Sequence, residues 1–116
     1  MSRLGSDIPG VFAIDVEPAR DVTVVRVEGE LDLATADELE RTLIELAAET
    51  VVVDLGRVAF LDSTALGALL RVNAARPFER PLYLLRPGQG LRRVFEITGV
   101  DGRFRFISSV EEAASA

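Results

Sequence analysis

Asp62, Ser63 and Thr64 stand together between an apolar run, VVVDL at residues 51–55, and a second apolar stretch, ALGALL at 65–70. Two hydroxyls and a carboxylate at a helix start can do either of two things. They can cap the helix, because Asp, Ser and Thr side chains accept hydrogen bonds from its open N–H groups. Or a hydroxyl presented to solvent there can take up a phosphate, since a helix N-terminus favours an added anion. Three carboxylates, Asp32, Asp54 and Asp62, fall near predicted element ends. Brought to one side of a sheet, they could bind a metal or share a proton. Against that, Asp54 lies late in an apolar strand and Asp62 is a natural N-cap residue. Gly88-Gln89-Gly90 resembles the start of a dinucleotide fingerprint, but Arg93 stands where a third glycine belongs. It also follows the fourth predicted strand rather than the first, so a plain strand-to-helix loop is the competing reading.

Little other chemistry is open to the chain. It has no cysteine, which removes disulfides, thiolate metal sites and cysteine nucleophiles. It has no histidine, which removes the usual general base and any Ser-His-Asp triad. All 13 basic residues are arginine, so no lysine is present for a Schiff base or a phosphate loop. The formal charge is −6, the wrong sign for a face that neutralises nucleic-acid phosphates. That charge either steers a basic protein partner or simply keeps the domain soluble. Arg92, Arg93, Arg103 and Arg105 form a small basic cluster, expected to be a solvated face with local ion pairs. No apolar run is long enough to cross a bilayer, no secretory h-region opens the chain, and a cytoplasmic protein is expected.

The elements that must position these residues follow from periodicity. Residues 1–10 are polar and read as a flexible leader, and residues 11–116 as one domain. Residues 11–17 and 22–29 are β-branched and partly alternating; Pro18-Ala19-Arg20-Asp21 makes them a hairpin. Thr35 and Glu38 have the capping-box spacing, and an amphipathic helix of about 13–15 residues follows. Residues 50–55 read as a strand covered on both faces, followed by a short loop. A second helix runs from near Ser63 to about Arg76, where Pro77 helps stop it. Residues 81–86 are another strand. Leu91, Val94 and Phe95 mark a third helix, with Gly99 at its C-terminal end. A last strand at 104–107 precedes a helix started by Ser109 and Glu112. The order β-β-α-β-α-β-α-β-α predicts an α/β fold with a mostly parallel mixed sheet, an N-terminal hairpin and about four helices.

The second helix carries two apolar faces. Leu66, Leu69, Leu70 and Ala74 form one, while Ala65, Ala68, Val72 and Ala75 form the other. Two faces imply either deep burial or a docking surface beside Ser63.

FLDSTALG at 60–67 resembles the signature of the STAS domain, in particular that of bacterial anti-sigma factor antagonists. GELDLATADEL at 29–39 resembles their segment between second strand and first helix. FRFISSVEEA at 104–113 resembles their closing strand and helix. The resemblance spans about residues 11–115. It implies that Ser63 is a phosphate acceptor. It implies two partners: an anti-sigma factor with a histidine-kinase-like ATPase domain, and a metal-dependent serine phosphatase that reverses the modification. The position two residues after the serine is often glycine in the family and is Ala65 here; both are small. On this reading Glu30, Leu31 and Asp32, with Asp62, Ser63, Thr64, Ala65, Leu66 and Gly67, form the partner-binding site. The chain is expected to hold no cofactor or metal, to catalyse nothing itself, to bind no nucleic acid and to insert in no membrane. A STAS accessory subunit of a membrane transporter or larger signalling assembly, without a phosphoswitch, is the alternative.

Overall fold

In the computed structural model the chain is described over residues 3–5 and 12–114. Arg3–Gly5, within the segment expected to be a flexible leader, form a short strand, β1. It runs antiparallel to β2 (Ala13–Ala19), with Arg3 opposite Asp15. Without it β2 would be an edge, with a row of unpaired N–H and C=O groups. The rest of residues 1–10 lies outside the described residues. β2 and β3 (Val22–Leu31) make the expected hairpin through Arg20 and Asp21, with Arg20 at φ 59°.

Helices and strands then alternate as the periodicity predicts. They are α1 (Ala36–Glu45), β4 (Val51–Leu61), α2 (Ser63–Ala75), β5 (Tyr83–Leu85) and α3 (Gln89–Ile97). A 3₁₀ turn at Asp101–Arg103, β6 (Arg105–Ile107) and α4 (Val110–Ala114) complete the chain. The six strands lie in the order β1-β2-β3-β4-β5-β6. The first three are antiparallel, and β3 to β6 are parallel.

Alternation along β4 splits the interior in two. Val51, Val53 and Leu55 join the larger core with Leu39 and Leu43 of α1, Leu66 and Leu69 of α2, and Leu91 and Phe95 of α3. Val52 points the other way, into a smaller core with Val24, Tyr83, Leu85 and Ala113 of α4. Three helices therefore cover one face of the sheet, and one short helix covers part of the other.

α2 is buried on both of its apolar faces. Leu66 and Leu69 belong to one, Ala65, Ala68 and Val72 to the other, and all five are buried. α1 packs along α2, and Arg71 donates two hydrogen bonds to Glu40 across that seam, at 3.0 and 2.9 Å. The second face is thus deep burial, and it is not a docking surface; Ala75 at its far end is exposed, as is Ala74 of the first face.

α1 is shorter than its pattern predicts. After Glu45 the chain tightens into three-residue hydrogen bonds, Leu46 N–H to Leu43 and Ala47 N–H to Ile44. Arg76, buried at the end of α2, donates to the carbonyls of Leu46 and Glu49 in the turns that follow α1. Burial lowers the Arg76 pKa, and the Arg80 charge adds to the effect.

β4 is longer than predicted. Residues 56–61 continue the strand because β3 is long enough to pair with them, up to Glu30 opposite Phe60 and Leu31 opposite Leu61. The ladder shifts register between Arg26 and Glu28 and again between Gly29 and Glu30, and Gly29 takes φ 101° at the second shift. Such bulges bend a strand while keeping its partner. At the end of α3, Gly99 adopts φ 75°. The Gly99 and Val100 N–H groups bond back to Glu96 and Phe95, closing the helix as a left-handed glycine does. Among the described residues no helix is long and apolar enough to cross a membrane.

Candidate functional site

The site is the corner where β3 and β4 end together. Asp62 N–H donates to the Leu31 carbonyl at 3.0 Å, joining the residue after β4 to the last residue of β3. From that anchor α2 begins at once.

Asp62 is extended (φ −99°, ψ −179°), and its carboxylate accepts the Ala65 N–H at 3.0 Å. Its carbonyl accepts the Leu66 N–H, also at 3.0 Å. Asp62 is therefore the N-cap, as its residue type predicts. Ser63 and Thr64 occupy the first two helical positions, and both are exposed. The Ser63 hydroxyl makes no hydrogen bond to any described residue. Of the orphan N–H groups at this helix start, Asp62 takes up the one on Ala65, leaving those of Ser63 and Thr64 for an incoming anion.

The neighbouring segment is locked by its own side chains. Thr35 Oγ1 donates to the Glu30 carbonyl at 2.8 Å and accepts the Asp32 N–H at 2.9 Å. Asp32 accepts the Ala34 N–H at 3.0 Å. The capping box predicted from Thr35 and Glu38 does not form. Thr35 has helical backbone angles and makes no side-chain cap. Its single hydroxyl is committed to the loop, and the Asp32 carbonyl accepts the first helical N–H, that of Ala36, at 2.9 Å.

Burial sorts the predicted contact residues. Glu30, Ser63 and Thr64 are exposed, and Asp32, Asp62 and Gly67 are half-buried. Leu31, Ala65 and Leu66 are buried and offer a partner no direct surface. Leu31 and Leu66 anchor the corner in the core, and Ala65 supplies the capped N–H. Two further residues at this corner escape the sequence reading: Leu33 is 75% exposed and Phe60 48% exposed. Leu33 was legible as an apolar residue inside the short polar turn Asp32–Thr35, with no periodic partner to bury it. Phe60 was not, because VAFL reads as a buried run. β5 pairs with β4 only from Val52 to Asp54. The far half of β4 therefore faces an open groove of about 410 Å³, lined by Phe60, Leu61, Gly90 and Leu91 among others.

The three carboxylates do not converge. Asp54 is buried, accepts the Gly56 N–H at 2.9 Å and faces Arg26 at 3.5 Å and Arg86 at 3.6 Å. It precedes Asp62 by eight residues, on the order of 25 Å of extended strand. Asp32 is spent on its own turn and Asp62 on the cap of α2. Among the described residues no group of three or more Asp, Glu, His or Cys could hold a metal. Gly88 and Gly90 belong to the start of α3, with Gly88 at its N-cap.

Residues 14–109 match the family model described as Mlab, STAS domain. An anti-sigma-B factor antagonist of Staphylococcus epidermidis is 37% identical over 84 residues, 69% of this chain and 78% of that protein. The crystal structure of an anti-sigma factor antagonist from Mycobacterium paratuberculosis has a TM-score of 0.79 at 30% identity, covering 92% of this chain and 94% of that one. The Bacillus cell fate determinant SpoIIAA, in its phosphorylated form, has a TM-score of 0.62 at 25% identity, covering 88% of this chain and 96% of its own.

Proposed function

This chain belongs to the STAS domain family, and from that premise we propose that it is an anti-sigma factor antagonist switched by phosphorylation of Ser63. Unmodified, it binds an anti-sigma factor carrying a histidine-kinase-like ATPase domain, and a sigma factor is released. The kinase then transfers the γ-phosphoryl group of ATP to Ser63 Oγ. The new P–O bond replaces the bond to ADP, and the hydroxyl proton leaves to the kinase or to water. A metal-dependent serine phosphatase hydrolyses the ester and restores the binding form.

The observation that carries this reading is the state of Ser63. It is exposed, unengaged and first in its helix, beside exposed Leu33 and Phe60. The chain has no histidine, and the adjacent Asp62 carboxylate serves the helix cap through Ala65 N–H, so this reading assigns the base to the kinase. The chain acts as substrate and binding module. Phosphate adds about −1.5 to −2 charges. The helix start tolerates that anion, but an interface closed over Leu33 and Phe60 must desolvate it. A thousandfold loss of affinity needs only about 4 kcal/mol.

Incubation with the cognate kinase and ATP, followed by peptide mass spectrometry, tests the assignment. Phosphate on Ser63 alone, absent from Ser63→Ala, is the expected result. Modification at another residue overturns it, as does recovery of a transporter ATPase, with no sigma regulator, as the bound partner.

A further inference from the structure

The far end of α2 carries a second surface that the phosphoswitch does not use. Phe78, just beyond the helix, is 88% exposed. It lies on the rim of an open groove of about 480 Å³ shared with Pro77, Pro81, Arg103 and Arg105. The groove is firmly held. Asn73 donates to the Arg103 carbonyl at 2.6 Å and accepts the Leu82 N–H at 2.8 Å. Arg76 donates to the Arg80 carbonyl at 2.8 Å, fixing the turn that carries Phe78.

Arg103 and Arg105 are exposed, and neither makes an ion pair among the described residues. The basic cluster read from the sequence therefore divides. Arg92 lies over the Phe106 ring at 3.8 Å and faces Glu96, whereas Arg103 and Arg105 keep free charge. Glu79 and Asp101 are close in sequence but do not line the groove. β6 is the outermost strand, and among the described residues no strand lies beyond it.

We propose that this groove docks an acidic protein segment bearing an apolar side chain. Two unpaired guanidinium groups beside an exposed ring on a chain of charge −6 form a local field opposite to that of the whole molecule. Carboxylates pair with the arginines, and an apolar side chain covers Phe78 between the two prolines. A nucleic acid fits less well. Two cations release few counterions, and the remaining surface repels a polyanion. The groove lies about 20 Å from Ser63, the length of α2 at 1.5 Å per residue. It is therefore open whether or not the switch is phosphorylated, and the proposal stands apart from that reading.

The test is a titration of the full, isotope-labelled chain with a short synthetic peptide alternating glutamate and leucine, followed by amide NMR. Saturable shifts at Phe78 and residues 102–105, weakened by salt, are expected. Affinity should fall at least about tenfold in Phe78→Ser, whose exposed side chain carries no folding role, and likewise in Arg103→Glu/Arg105→Glu. The proposal is overturned by shifts that map elsewhere, or by equal binding of the glutamine–leucine peptide. It is equally overturned by concentration-dependent shifts at these residues without peptide, which would make a second copy the occupant, or by tighter binding of a single-stranded oligonucleotide.

Discussion

Ser63 and Asp62 are adjacent and polar, yet the fold gives them opposite tasks. Asp62 is engaged three ways: its carboxylate and carbonyl hold the first turn of α2, and its N–H holds Leu31 across the corner. Ser63 is used for nothing internal. That division makes a modified serine compatible with an undisturbed helix. It predicts that Asp62→Ala costs about 0.5–2 kcal/mol of folding stability, the usual loss for a capping carboxylate, while Ser63→Ala costs nearly nothing. Urea denaturation of the two variants checks this, and an equal loss in both would refute the division. The capping role was legible from residue type alone, and so was the candidate hydroxyl. The role of Thr35 was not. Its spacing to Glu38 matches a capping box, but its oxygen accepts the Asp32 N–H and its proton goes to the Glu30 carbonyl, partners that no local pattern announces.

Among the elements, α2 links the two ends of the molecule, and α1 determines which of its faces are free. Sequence periodicity identified the two apolar faces of α2 up to Val72, while Ala74 and Ala75, assigned one to each face, are exposed. What covers the second face depends on where α1 lands, which is a tertiary matter. The same limit applies to β4, whose far half follows the length of its partner β3, and to β1, which is too short to carry a pattern of its own. The seam between α1 and α2 has a titratable clasp. The two hydrogen bonds from Arg71 hold the Glu40 carboxyl below its usual value of 4.5, with burial opposing them. A depressed carboxylate contributes stability above its unfolded pKa and loses it as pH falls through the folded one. Wild type should therefore exceed Glu40→Gln in stability at neutral pH, and the gap should close as pH drops below 4.5. Denaturation midpoints across that range provide the check; a gap constant with pH would contradict the clasp.

As a whole molecule, the domain is a mixed sheet with a rigid corner at one end of α2 and a basic, aromatic groove at the other. The order of strands and helices was readable because each parallel crossover leaves its own periodic signature. Phe60 was harder to place, since exposure of an apolar side chain in a buried-looking run is decided by what the rest of the fold leaves uncovered. Nothing at the corner has to move for the proposed switch to work. The added charge acts where it sits, so phosphorylation should leave the fold and its stability almost unchanged while it abolishes binding.

That pairing of effects gives the most direct test. Affinity for the cognate anti-sigma kinase should be measured by calorimetry with the unmodified protein and with protein phosphorylated stoichiometrically on Ser63, alongside the thermal unfolding of each form. A loss of about a thousandfold in affinity, worth about 4 kcal/mol, with unfolding nearly unchanged, is the predicted result. Undiminished binding by the phosphorylated form would contradict the account, as would a loss of binding that tracks a loss of folding.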